Sequence, residues 1–379
     1  MSRSLAPNFY VKVYDQSYNV VAIFDNWVKL EYSKIINNVG VTTFSIDDSD
    51  TRSALFELDG IFEVYRSVPG LGVDWYREYI GLFRGPSNPV ESSGLKTWTA
   101  NIVSLEDFLA RTTINYKAGT IFSYKKIAAE TAMKEYVEEN CGASATVVAG
   151  RLSDGVLPDF LVDTDLAAGA VWEGDKAYEN LLDTLRSIAD FANMDYTVTW
   201  SDATNKFTFI TYLNQLGVNR TTTGLNPATG KNAAGYYPVI FSLDRGNMAS
   251  LVYSYNRTSE SNVVTVMGDG DGATRVTRMR STTAATDSPW NRREIARPQG
   301  GFLSQMDTFG DEVLESTKAI EEVSFVPLFQ ESCMYGKDFF FGDSITVRVK
   351  GVDYNRRLVE IKNTVTKDGE HPSFVFSSL

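Results

Sequence analysis

The sequence predicts a mainly β fold with α+β parts: two similar β-barrel domains, an α+β domain between them, and a subdomain inserted in the second barrel. Three observations carry that reading. Short runs of alternating apolar and polar residues fill the N-terminal part of the chain, as half-buried strands require. The period then lengthens to that of helices near 123–142 and 176–194. Two segments of the first part return, in the same order, toward the end.

The strands begin with "NFYVKVYD" (8–15), "VVAIFD" (20–25), "VKLEYSKI" (28–35) and "GVTTFSID" (40–47), followed by "GIFEVYRSV" (60–68), "REYIGLFRG" (77–85) and "TWTANIVS" (97–104). Separated by turn residues, they read as a first barrel over 1–112. An α+β domain follows over 113–237. Here "SYKKIAAETAMKEYVEENCG" (123–142) carries a helical stripe of Ile127, Ala128, Ala132, Tyr136 and Val137, with Gly142 as its stop. A second helix in "KAYENLLDTLRSIADFANM" (176–194) runs into the hairpin "DYTVTWSDATNKFTFIT". The Asn-, Thr-, Gly- and Pro-rich stretch 213–237 reads as a surface linker with little core of its own. The second barrel takes 238–270 and 325–379, and the inserted α+β subdomain, 271–324, holds a helix over 311–323.

Two barrels follow from the repeat. "VDWYREYIGLF" (73–83) resembles "VDYNRRLVEIK" (352–362), and "LEYSKIINNVGVTTFSI" (30–46) resembles "LVYSYNRTSESNVVTVM" (251–267). The second copy is longer between its matches, so the segment 270–325 is expected to leave the barrel and return to it. Tyr79 and Leu82 then answer to Leu358 and Ile361, and Arg77 to Arg356.

Composition sets limits on function. With 379 residues, 43% of them hydrophobic, the chain can bury more than one core. Its 19 Tyr and 22 Phe keep company with Val and Thr, as strands prefer. A net charge of −12 repels phosphate backbones and argues against a nucleic-acid binder. Cys141 and Cys333 lie far apart in unlike contexts, so neither a disulfide framework nor a metal cluster is expected. The N-terminus "MSRSLAPNFYVKVYD" runs straight into a strand pattern without a signal-peptide core, and no apolar run is long enough to span a bilayer.

One motif tempts toward catalysis. "FFFGDSITVRVK" (339–350) holds Gly342-Asp343-Ser344-Ile345, similar to the nucleophile block of GDS-type esterases. "DGEH" sets Asp368 three residues before His371, the only histidine, and serine, imidazole and carboxylate are the parts of a hydrolytic triad. A nucleophile elbow, however, turns from a strand into a helix, whereas this serine opens a strand pattern. Gly342-Asp343 is therefore read as a turn and Ser344 as the first residue of a strand. "MGDGDGATR" (267–275) spaces Asp269 and Asp271 like a calcium loop, but Ala273 and Arg280 stand where ligands belong. The carboxylate pairs Glu138/Glu139 and Asp163/Asp165 come with no sign of a cleft. Arg275, Arg278, Arg280 and the "RRE" at 292–294 make the insertion locally basic, for partner contacts. No catalytic, cofactor-binding or metal site is expected, and no enzyme.

The order of parts, with "AYENLLDTLRSIADFANMDYTVTW" (177–200) and the terminal "GDSITV" and "VEIKNT" hairpins, resembles the siphophage tail-tip and baseplate hub proteins of the ReqiPepy6 Gp37-like group. Their fold is shared by the N-terminal part of tail-associated lysins and by the central hub of contractile tails. The resemblance covers essentially the whole chain. It implies a structural virion protein at the distal tail tip, made in the host cytoplasm: a homotrimer whose two barrels per chain form a ring of six. Such a ring adapts a sixfold tail tube to a threefold tip around the DNA exit channel. The implied partners are the distal tail protein ring, the tape measure protein, and tail fibre, spike or receptor-binding proteins. Phage DNA would pass without specific binding, and the chain alone would not insert into a membrane. The hydrolase or fibre-binding extensions of many relatives are not expected here, since the barrel ends at Leu379. The alternative is a receptor- or carbohydrate-binding tip protein, in which Trp172, Tyr236, Tyr237 and Trp290 form an exposed face.

Overall fold

The computed structural model describes residues 7–378 apart from 91–95, 117–118, 300–302, 304, 329 and 331–332; the start of the N-terminal segment read above lies outside the described residues. The alternating runs do form strands: β1 (Asn8–Tyr14), β2 (Val20–Phe24), β3 (Lys29–Ile35), β4 (Val41–Asp47), β5 (Ile61–Val68), β6 (Val73–Ser87) and β7 (Thr97–Ser104). They hydrogen-bond in the order β3-β4-β7-β6-β5-β1-β2. Their inner face buries Val11, Phe24, Phe44, Phe62 and Ile102.

A helical turn, α1 (Asp107–Ala110), leads to β8 (Ser123–Ala128), α2 (Ala129–Asn140), β9 (Phe160–Val162), β10 (Val171–Lys176), α3 (Leu181–Ala192), β11 (Met194–Ser201) and β12 (Lys206–Leu213). Asn180 caps α3 by accepting from the Asp183 N–H, and Asn193 ends it in the left-handed region at φ 50. The apolar stripe of α3 (Leu181, Leu185, Ile188) packs with Tyr136, Tyr196 and Trp200 into one core. The helix expected from 123 begins only at Ala129. Ser123–Ala128 pairs antiparallel with Val171–Lys176, a distant ladder that the local period cannot reveal.

The chain continues through β13 (Ile240–Ser242), β14 (Met248–Asn256), β15 (Val263–Met267), β16 (Thr277–Ser281), β17 (Glu294–Pro298), α4 (Gln305–Ser316), β18 (Ile320–Pro327), β19 (Ser344–Val349), β20 (Val352–Thr366) and β21 (Gly369–Ser378). The helix read at 311–323 lies earlier, because Ile320–Pro327 is drawn into a ladder with β14. The 213–237 stretch is not a bare linker. Thr221 and Asn232 are buried, and Asn232 Nδ2 donates to the carbonyls of Asn219 (2.8 Å) and Thr221 (3.0 Å).

Mainly β is correct; two closed barrels are not what the described residues show. β2 and β3 do not pair. One eleven-stranded sheet, ordered β13-β19-β20-β3-β4-β7-β6-β5-β1-β2 with β21 also on β20, runs through both halves of the chain. Alternation identifies the buried face of a strand but not the neighbour its edge will find.

One match of the repeat lies on two strands in comparable positions, and the other is divided between sheets. Residues 73–83 and 352–362 lie on β6 and β20, each the middle strand of an antiparallel set, β5-β6-β7 and β19-β20-β21. Tyr79, Leu82, Leu358 and Ile361 are all buried. Residues 30–46 form the paired strands β3 and β4, but 251–267 is split between β14 and β15, which belong to different sheets. The partner of β14 is β18, and between them β15, β16 and β17 with α4 form a separate layer around Val264, Val266, Met306, Val313 and Leu314. The chain thus leaves after Asn256 and returns at Ile320, rather than over 270–325.

Glu130, buried at the start of α2, accepts hydrogen bonds from Lys134 Nζ (2.7 Å), the Ala168 N–H (2.8 Å) and Thr211 Oγ1 (3.0 Å). Burial alone would raise its pKa, but these partners outweigh it and hold the carboxyl below its usual value. Its stabilisation is therefore complete above the unfolded carboxyl pKa of about 4.3 and lost as pH falls through the lower folded value. In urea unfolding, Glu130→Gln should cost about 2 kcal/mol at neutral pH. The difference from the parent should shrink as the pH is taken below about 4.

Candidate functional site

The chemistry of this chain is concentrated at a joint rather than in a catalytic pocket. On one edge of β20, residues 352–357 pair with β19 and residues 360–365 pair with β3. A bulge between Leu358 and Glu360 separates the two ladders, and the Ile36 N–H reaches the Val359 carbonyl there at 2.9 Å. Trp27 Nε1 adds a bond to the Val365 carbonyl at 3.1 Å.

A buried polar cluster locks this seam. The Arg66 side chain is fully buried, and its guanidinium forks onto Glu370 at 2.7 and 3.2 Å. Arg66 also donates to the Tyr335 carbonyl (3.0 Å) and to Tyr76 Oη (3.2 Å). Burial on its own would lower the Arg66 pKa, but the hydrogen bonds and charge of Glu370 more than reverse this, so the guanidinium stays charged. Asn363 Nδ2 joins Tyr32 Oη (2.9 Å) to Glu370 (3.2 Å), and Tyr335 Oη donates to buried Glu78 at 2.7 Å. Desolvation, with Glu78 beside it, pushes the Tyr335 phenol far above its usual pKa. A second cluster centres on Asp195, which takes Arg357, Asn37 Nδ2 (3.2 Å) and the Leu216 N–H (2.5 Å), tying β11 to β20 and to the β3–β4 turn. Beside both clusters lies an open cleft of about 590 Å³, lined by Lys34, Glu78, Glu106, Tyr212 and Phe341 among others.

The Gly342-Asp343-Ser344 motif belongs to the same framework. Gly342 has φ 88, and a Cβ there would stand 2.7 Å from the Leu216 carbonyl oxygen, so glycine is required where two backbones cross. Asp343 is buried and clamps the crossing chain, accepting from the Val218 N–H (2.7 Å), Arg220 Nε (2.8 Å) and the Phe340 N–H (2.9 Å). Ser344 Oγ is buried and donates to Gln215 Oε1 at 2.7 Å. His371 is exposed on β21 opposite Thr364, whereas Ser344 faces Arg357, so roughly 23 Å of strand separates them. Serine, histidine and Asp368 are not brought together.

The other candidates are dispersed as well. Asp269 and Asp271 sit in a turn closed by Arg275 Nε on the Gly268 carbonyl (2.8 Å). No group of three or more His, Cys, Asp or Glu among the described residues is placed to hold a metal ion. Arg280 pairs with Asp311 (2.8 Å) and Arg292 with Glu294, so much of the basic character of the insertion is neutralised locally. Cys141 and Cys333 are buried and free, and burial pushes the Cys141 thiol up to about 11. The four aromatics form no common face. Trp172 is buried, Tyr236 and Tyr237 lie against Arg220 and Lys231 respectively, and Trp290, 92% exposed, stands in the turn before β17. The joint itself went unread in the sequence, since Arg66, Glu78, Asp195 and Glu370 sit singly in strands with no spacing to connect them.

The fold as a whole is similar to that of solved phage tail proteins. The tail protein from Neisseria meningitidis MC58 matches with TM-score 0.52 at 11% identity, over 98% of this chain and 97% of that one. The 43 kDa tail protein of prophage MuSo2 from Shewanella oneidensis matches with TM-score 0.57 at 11% identity, over 98% of each chain. The prophage tail protein gp18 from Listeria monocytogenes EGD-e gives 0.53 at 10% identity, over 98% and 94%. At such identities the likeness is one of fold. No curated protein sequence matches the chain. The family described as Siphovirus ReqiPepy6 Gp37-like protein matches residues 10–375, and the chain belongs to that family.

Two outcomes follow for the joint. Arg66→Met should destabilise the protein by about 3–5 kcal/mol in guanidinium unfolding, because it strands Glu370 in the interior, and Arg66→Met/Glu370→Met together should recover most of that loss. On short-chain nitrophenyl esters, Ser344→Ala should hydrolyse at the same background rate as the parent, since no base reaches Oγ.

Proposed function

We propose that this tail protein is a structural hub at the distal end of the phage tail, a homotrimer that adapts the sixfold tube to a threefold tip around the DNA channel. The observation that carries this reading is the strand order. Each chain presents β5-β6-β7 and β19-β20-β21 as comparable antiparallel sets, held in one body by the β20–β3 ladder. Three such chains present six comparable faces, the count a sixfold ring requires. The two units, though not closed by pairing within one chain, play the part of the two barrels, and 1–112, 113–237 and the remainder serve as its domains.

Further support comes from the surface. Among the described residues β14 pairs only with β18, and Val252, Tyr253 and Tyr255 along it are exposed, an apolar edge of the kind proteins cover by assembly. By contrast, Arg52 Nη1 blocks the edge of β2 by donating to the Ile23 carbonyl at 3.2 Å. A net charge of −12 suits a conduit that DNA must leave without sticking. The partners of the hub are the distal tail ring above, the tape measure protein within, and fibre, spike or receptor-binding proteins below, and the chain itself is not an enzyme.

Cryo-electron microscopy of the intact tail should show three copies of this chain below the tube, and native mass spectrometry at micromolar concentration should detect the trimer. Two, five or six copies in the tip contradict the reading.

A further inference from the structure

Where α4 of the inserted layer meets β10, a cavity of about 510 Å³ opens beside Trp172, Asp175, Gln305, Phe309 and Glu312. Its lining contains the carboxylates of Glu173, Asp175, Glu179 and Glu312 against the single ammonium of Lys176. Glu173 is taken by Lys126 (2.7 Å) and by Tyr124 Oη (2.8 Å), and Glu179 by Lys176 (3.0 Å). No ion pair among those given by the described residues reaches Asp175 or Glu312. Glu312 Oε1 accepts from Trp172 Nε1 at 2.7 Å, Ser187 adds a further hydrogen bond, and Lys176 opposes its charge only from beyond ion-pair distance. Desolvation raises the pKa of both carboxyls, so burial makes each costly to keep ionised.

An independent observation comes from Gln305. Its side chain is 1% exposed, it lines the cavity, and among the described residues neither Oε1 nor Nε2 has a hydrogen-bond partner. A buried amide with both ends unmet is uncommon, because its desolvation is not compensated. The carboxylates call for a cation, and the amide calls for a donor and an acceptor together. A bare metal ion supplies no acceptor for Nε2. A lysine or arginine within a peptide supplies all three: the charged head for Asp175 and Glu312, an N–H for Oε1, and a carbonyl oxygen for Nε2. Its alkyl stem has Phe309 to lie along.

We propose that the cavity between α4 and β10 is a docking site for a Lys- or Arg-bearing peptide segment of a partner protein. Such docking fixes the inserted layer against the middle of the chain while a partner is held, and it depends on no particular oligomer or position in the particle.

The test uses the whole chain at neutral pH and calorimetric titration with acetyl-Gly-Arg-Gly-amide, the same peptide carrying citrulline, and propylguanidinium. The arginine peptide should bind, and the citrulline peptide, equal in shape but uncharged, should bind at least about tenfold more weakly. Propylguanidinium, without a carbonyl for Gln305 Nε2, should also bind more weakly than the peptide. Glu312→Gln, Asp175→Asn and Gln305→Leu should each weaken the arginine peptide by about tenfold or more. Gln305→Leu should do so without lowering the thermal midpoint, since it removes an unsatisfied amide from the interior. Loss of binding in Gln305→Leu with an unchanged or higher midpoint separates loss of the site from loss of the fold. The proposal is overturned by no binding at millimolar arginine peptide, by equal affinity for the citrulline peptide, or by folded variants that bind like the parent. Propylguanidinium, which has the charged head but no carbonyl, binding as tightly as the peptide would overturn it too, by showing a site for free cations only.

Discussion

Along one edge of β20, Val352–Arg357 is hydrogen-bonded to β19 and Glu360–Val365 to β3, so a single strand carries the backbone pairing of two regions that lie at opposite ends of the sequence. The bulge at Leu358/Glu360 lets the strand turn from one partner to the other without leaving the sheet. Once β3 is committed to β20, it is no longer available to β2, and the N-terminal strands stay open. The open sheet, the meeting of the two halves and the position of the middle unit all descend from that ladder.

Polar groups enforce the junction. Arg66 and Glu370 come from β5 and β21, and Glu78 and Tyr335 from β6 and the segment before β19; each pair is buried where the halves touch. Buried ion pairs return little net stability over an apolar core of the same shape, but a misaligned junction would strand charges in the interior at a cost of several kcal/mol. The cluster therefore acts chiefly against wrong registers. With such a penalty the two strand sets keep a fixed relation. Asp343 and Asp195 extend the same device to the 213–237 segment and to β11, with backbone N–H groups among their donors.

The inserted layer is attached by different means. Apolar residues of α4 close over β15, while its other side meets β10 and α3 through Glu312 and its bond to Trp172. That contact leaves open space beside it. The two attachments differ accordingly: one is a continuous sheet and the other a helix resting on a partly filled seam.

The seven N-terminal strands, α3 and the β11–β12 hairpin were legible in the sequence, because each is written in a local period. The reading of Gly342-Asp343-Ser344 as a turn into a strand was legible for the same reason. Pairing across long separations was not. Ser123–Ala128 continues a helical stripe until Val171–Lys176 claims it as a strand, and 251–267 imitates 30–46 although β18, far downstream, is the true partner of β14. The buried Arg66–Glu370 and Arg357–Asp195 pairs were equally invisible, since a lone charge in a strand pattern looks like any solvated one until the fold removes the water around it. Local sequence determined which residues would be extended, helical or inward-facing. Only the tertiary structure decided which edges met, because hydrogen-bonding backbone is the same at every position and its partner is chosen by what the rest of the chain leaves free.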